Sequence, residues 1–117
     1  MGSETIKIYV PVERANDAAV EKFKIQCISY MDSLTINEVT KYVKDSQNKI
    51  VFKRCECITC YGKVNFYKDI IKAAAIELAV ALDLTEMLLE INDIIDNISY
   101  NDIEFCKNNL NLAKQNS

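Results

Sequence analysis

Three thiols within six residues, Cys55-Glu56-Cys57-Ile58-Thr59-Cys60, make the stretch with the most latent chemistry. Structural zinc takes tetrahedral thiolate sites, so Cys55, Cys57 and Cys60 with Cys27 or Cys106 as a fourth ligand form the metal reading. The Cys57-x-x-Cys60 spacing at a turn favours it, and the lack of a second such pair opposes it. Cys55 and Cys57 also alternate as small buried hydrophobes do along a strand, and this packing reading is preferred. A thioredoxin-like dithiol should follow a strand and open a helix, whereas this pair precedes a strand.

The chain has no histidine, which removes the commonest general base and the commonest metal ligand. Two glycines leave no Gly-rich phosphate loop. Acidic residues are unevenly spread. Residues 69–106 carry nine acids against one base, Lys72, while residues 1–68 are net basic. The spacing places Glu86, Glu90, Asp93 and Asn97 on the polar side of a helix, as a solvated face or a contact for a basic protein partner. Calcium is set aside, because no Asp-x-Asp-x-Asp-Gly loop is present. Lys49, Lys53, Arg54 and Lys63 beside Phe52, Tyr61 and Phe66 could meet nucleic acid. The net charge of −3 and only two arginines argue against it.

These residues need elements to hold them. Thr5 to Val12 reads as a strand, at an edge or ending at Pro11. Asn16-Asp17 caps a helix to about Asp32, with Val20, Phe23 and Cys27 on its apolar face. Thr35 or Asn37 caps a second short helix, and Asp45-Ser46-Gln47-Asn48 is a turn. Lys49 to Phe66 reads as a hairpin with Gly62 in its connection. Tyr67 to Ile98 then reads as one long helix. Ala73, Ile76, Val80, Leu84, Met87, Ile91, Ile94 and Ile98 form a nearly heptad stripe that implies self-association as a homodimer. A break near Asp83 is the alternative. Asn101 with Glu104 caps a closing helix whose face is Ile103, Cys106, Leu110 and Ala113.

If Phe23 to Cys27 and Thr85 to Ile91 were strands, the order would be βαββαβα. The stretch Gly62-Lys63-Val64-Asn65 followed by Lys68-Asp69-Ile70-Ile71 then resembles the phosphocarrier HPr ahead of its regulatory helix. That resemblance spans about ten residues, and without histidine the phosphocarrier activity does not carry over.

The expectation is one α+β domain over residues 1–117, helix-dominated, with a small antiparallel β-hairpin or sheet packed against a long central helix. Five cysteines without an export signal imply a reducing, cytoplasmic compartment, and no apolar run suits a membrane. Met1-Gly2 opens a myristoylation pattern that Ile6 breaks. The functional expectation is a non-enzymatic regulator, inhibitor or adaptor that binds another protein, and the composition suits a phage or mobile-element product. No cofactor is expected, zinc excepted. The alternative is a zinc-stabilised module that binds nucleic acid.

Overall fold

The computed structural model describes residues 4–115, with side chains described to residue 111. Met1-Gly2 and the Ala113 side chain lie outside these bounds. The elements are β1 (Thr5–Pro11), a 3-10 turn (Val12–Arg14), α1 (Ala18–Tyr30), β2 (Ser33–Lys44), β3 (Ile50–Tyr61), α2 (Val64–Ala81), β4 (Leu88–Ile91), β5 (Ile94–Ile95) and α3 (Tyr100–Gln115). The strands form one antiparallel sheet in the order β2-β3-β1-β4-β5. Through β4 this is the interleaved βαβ-βαβ topology of ferredoxin-like folds.

Local chemistry explains most of the boundaries. Asp17 accepts the Ala19 N–H at the start of α1, and Val20, Phe23 and Cys27 are the buried face of that helix. Asp45 turns β2 into β3 by accepting the N–H groups of Gln47 and Lys49, with Asn48 at φ 63°. Ser99 and Asp102 cap α3 reciprocally, at 3.0 and 3.2 Å. The capping box therefore lies two residues before the expected Asn101–Glu104. The Ser99 N–H, and then its hydroxyl, hold the Asp102 carboxyl below its ordinary range.

The long central helix does not exist. α2 opens at Val64, inside the expected second hairpin strand, and ends in a Schellman motif. The Leu84 N–H reaches the Ala79 carbonyl at 2.9 Å, the Asp83 N–H reaches Val80 at 3.1 Å, and Asp83 takes φ 54°. Beyond it the chain forms β4, a tight turn at Asn92-Asp93 with φ 52° and 66°, and β5. The expected short helix after Thr35 is β2, and the expected small hairpin is a five-stranded sheet. β1 lies at the centre of that sheet, with Pro11 as its last residue.

The core lies between the sheet and its helices. Ile6, Ile8, Val10, Ile58, Cys60 and Leu89 from the strands meet Val20, Phe23, Ile71, Ala75 and Leu78 from α1 and α2. Ile98 and Ile103 close it from the C-terminal side.

Candidate active site

Strand alternation sends the other half of each strand to the opposite face of the sheet. There Tyr9, Cys55 and Cys57 are buried with Val39 and Leu88 around them, a cluster made of strand residues alone. Their burial needs a cover, and the β2–β3 hairpin supplies it. β1 ends opposite Cys55, and Cys55 pairs with Val39, so Thr40–Lys44 and Ile50–Arg54 continue as a two-stranded ribbon. Lys41 lies opposite Lys53, while Glu90 lies opposite Lys7, which faces Thr59. In a flat sheet those positions would be roughly 20 Å apart along the strands and about 14 Å across them. Yet Lys41 Nζ sits 3.2 Å from Glu90 Oε1 and 4.6 Å from the centroid of the Tyr9 ring. The sheet therefore coils so far that the ribbon roofs its own helix-free face.

Under that roof Tyr9 donates its hydroxyl to Glu90 Oε2 at 2.8 Å, so each oxygen of the carboxylate has a different partner. The Glu90 side chain is only 16% exposed. Burial, and then the bond to Glu90, push the Tyr9 phenol well above its ordinary range, and it stays a protonated donor at neutral pH. Lys7 bridges to Asp93 at 3.3 Å on the same face. The hydrogen bond to Asp93 raises the Lys7 pKa and keeps the ammonium charged, against a smaller cost of burial.

A groove of about 360 Å³ opens beside this cluster, lined by Glu13, Phe52, Cys55, Leu84 and Glu86 among others. Cys55 is the residue that the groove and the Tyr9 cluster share, so the two are neighbours at the end of β1. Phe52 is exposed on the face of the ribbon opposite Cys55 and Lys53, where its ring lies 6.4 Å from that of Tyr42, so it borders the groove from the outer side of the ribbon. Glu13 and Glu86 are acceptors suited to hydroxyl groups. The groove falls within the usual size range of small-molecule sites.

The thiols do not converge. Glu56 faces α1, where it pairs with Lys24 at 2.8 Å, so its neighbours Cys55 and Cys57 face the other way. Cys60 belongs to the helix-side core with Cys27, and Cys106 lies half-buried on α3. Among the described residues no three His, Cys, Asp or Glu side chains are placed to share a metal ion. The Cys27 thiol is pushed up by its bond to Cys60 and then by burial, while burial also raises Cys55.

The acidic set is likewise dispersed. Glu86 pairs with Lys53 at 3.0 Å, Glu90 lies half-buried under the ribbon, Asp93 occupies a turn, and Asn97 accepts the Leu89 N–H. These residues share no helix face, because 86–97 is strand and turn. The self-association stripe is divided in the same way. Ala73, Ile76 and Val80 lie on α2, and Leu84 follows its end. Met87 and Ile98 are buried opposite each other, and Ile91 pairs with Ile94. No continuous seam is left on which to rest a homodimer. Of the basic residues considered for nucleic acid, Lys53 and Arg54 are paired with Glu86 and Glu38.

Sequence reasoning singled out Glu90, in a different role, and missed Tyr9 and Lys41. The signal for Tyr9 was present, since Lys7 and Tyr9 alternate with Ile6, Ile8 and Val10. Lys41 carried none, because its position depends on how far the sheet coils. Among the described residues, no helix is long and apolar enough to cross a membrane.

No protein-family model and no curated protein matches the sequence. Two solved structures share the fold. They are a phage SAM lyase in complex with S-methyl-5'-thioadenosine, at TM-score 0.53 and 12% identity, and a phage SAM lyase in the apo state, at 0.50 and 13%. Each alignment covers 84% of this chain and 90% of the other. At such identity the likeness is one of fold. This small α+β architecture is nevertheless one that a phage uses for an enzyme. That finding overturns the expectation of a non-enzymatic regulator, inhibitor or adaptor.

Proposed function

We propose that the chain is an enzyme that cleaves S-adenosylmethionine, with its site on the roofed face of the sheet. The carrying observation is the fold shared with the phage SAM lyase over 84% of this chain. The site supports it in two ways. The groove at the end of β1 has the size for an adenosine, with Glu13 and Glu86 as acceptors for the ribose hydroxyls. The neighbouring Tyr9–Glu90 pair offers a half-buried carboxylate to a cationic substrate.

The chemistry asks little of the protein. A sulfonium is already a good leaving group. When the bond from sulfur to the four-carbon amino-acid arm breaks, sulfur keeps the electron pair and departs as neutral S-methyl-5'-thioadenosine. The arm's own carboxylate closes on the carbon that sulfur left, giving a lactone. No proton moves in that displacement, which suits a chain without histidine. The protein's work is to fold the arm back on itself and exclude water. Its five free cysteines suit a reducing, cytoplasmic setting.

The test is incubation with S-adenosylmethionine and chromatography of the products. S-methyl-5'-thioadenosine should accumulate with time and enzyme concentration, well above the spontaneous rate. Release no faster than in buffer contradicts the proposal.

A further inference from the structure

We infer that Tyr9 and Glu90 form the subsite for the α-ammonium of the substrate's amino-acid arm, and that Lys41 occupies that subsite until substrate displaces it. This rests on the proposed cleavage reaction and deepens it. A primary alkylammonium already sits there. Lys41 Nζ donates to Glu90 Oε1 at 3.2 Å and lies 4.6 Å from the Tyr9 ring centroid, a carboxylate below and an aromatic face beside it. The α-ammonium of an amino acid is the same chemical group, with three donors on one charged nitrogen. A sulfonium is not, because it has no N–H to replace the one that Glu90 would lose.

The direction of the chemistry agrees. The sulfonium charge vanishes as its bond breaks, so a carboxylate held against sulfur would stabilise the ground state more than the transition state. The α-ammonium keeps its charge to the end, so a carboxylate there costs the reaction nothing. Lys41 belongs to the ribbon, and its bond to Glu90 is one of the ties that hold the roof down. The other charged tie to this edge, Lys53 to Glu86, is more exposed, at 42% and 63%, and correspondingly weak. Displacement of Lys41 thus frees the ribbon. A nucleoside that lacks the amino-acid arm leaves the lysine in place.

Two ligands separate the readings. S-adenosylhomocysteine carries the ammonium without the sulfonium charge, and S-methyl-5'-thioadenosine carries neither. Both are titrated by calorimetry into wild type, Lys41→Met and Glu90→Gln, the methionine keeping the packing of the lysine stem. If Lys41 vacates the subsite about a tenth of the time, its removal tightens S-adenosylhomocysteine about tenfold. S-methyl-5'-thioadenosine should be unchanged in both variants, and Glu90→Gln should weaken S-adenosylhomocysteine alone. Equal effects on the two ligands, or no effect on S-adenosylhomocysteine, overturn the subsite while leaving the cleavage reaction standing. Binding of neither ligand to any of the three proteins overturns both.

Discussion

Glu90→Gln is expected to lower kcat/KM for S-adenosylmethionine about a hundredfold, with nearly all of the loss in KM. The magnitude is set near the lower end of the roughly 2–5 kcal/mol that truncating one partner of a buried, hydrogen-bonded charge pair costs, because Glu90 is half-buried. The division between kcat and KM follows from the substrate. An ammonium that stays charged from ground state to product is bound equally in both, and loss of uniform binding appears in KM. Steady-state kinetics over a wide substrate range would check it. A variant that lost kcat and kept KM would place Glu90 at the reacting carbon instead. The sheet should tolerate the change, because glutamine keeps an oxygen for the Tyr9 hydroxyl and fills the same space, and only the Lys41 tie to the ribbon is lost.

Phe23→Ala should have the largest effect on stability. Phe23 is 1% exposed and is the bulkiest of the fully buried side chains. It joins α1 to the core that α2 and the sheet share. Truncations of buried phenylalanine cost about 3–5 kcal/mol, as lost transfer energy plus the cavity that remains. For a domain whose total stability is on the order of 5–15 kcal/mol, that is a large share. Chemical denaturation should show the midpoint falling steeply with little change in slope. An unchanged midpoint would mean that α1 does not pack as described. Phe52→Ala is the natural control, since Phe52 is exposed and lines the groove rather than the core.

The sequence was most legible where one element carried its own signals. The Asp17 cap and the Val20, Phe23, Cys27 face delimit α1, and the Asp45–Asn48 cluster marks a turn that the structure places between β2 and β3. It was least legible from Asp83 to Ile98, for two physical reasons. Glycine is scarce, so aspartate and asparagine take the left-handed positions, and Asp83, Asn92 and Asp93 do not announce a turn as glycine would. The second reason is symmetry. A hairpin pairs residues equidistant from its turn, so Ile91 meets Ile94 and Met87 meets Ile98. Those four positions also step by four, three and four, which is the spacing of a helical stripe. One pattern satisfies both folds, and the turn between Asn92 and Asp93 decides it.

β2 was hidden differently. It lies at the sheet edge with most of its residues exposed, so its alternation is faint. Its Thr, Ile, Val and Tyr content was the better guide. The candidate site was the least legible part of all. Tyr9, Lys41 and Glu90 lie on three strands far apart in the chain, and only the coiling of the whole sheet brings them together.

That coiled, roofed face is the centre of the account, and backbone and side-chain NMR of the isotope-labelled protein with S-methyl-5'-thioadenosine tests it most directly. Shifts should concentrate at the groove residues Glu13, Cys55 and Glu86 and spread weakly to Tyr9, and a second groove of about 280 Å³ between α1 and α2, lined by Tyr30, Ile70 and Ala74 among others, should stay unmoved. Saturable shifts confined to that helical groove, or no shifts at millimolar ligand, would contradict it.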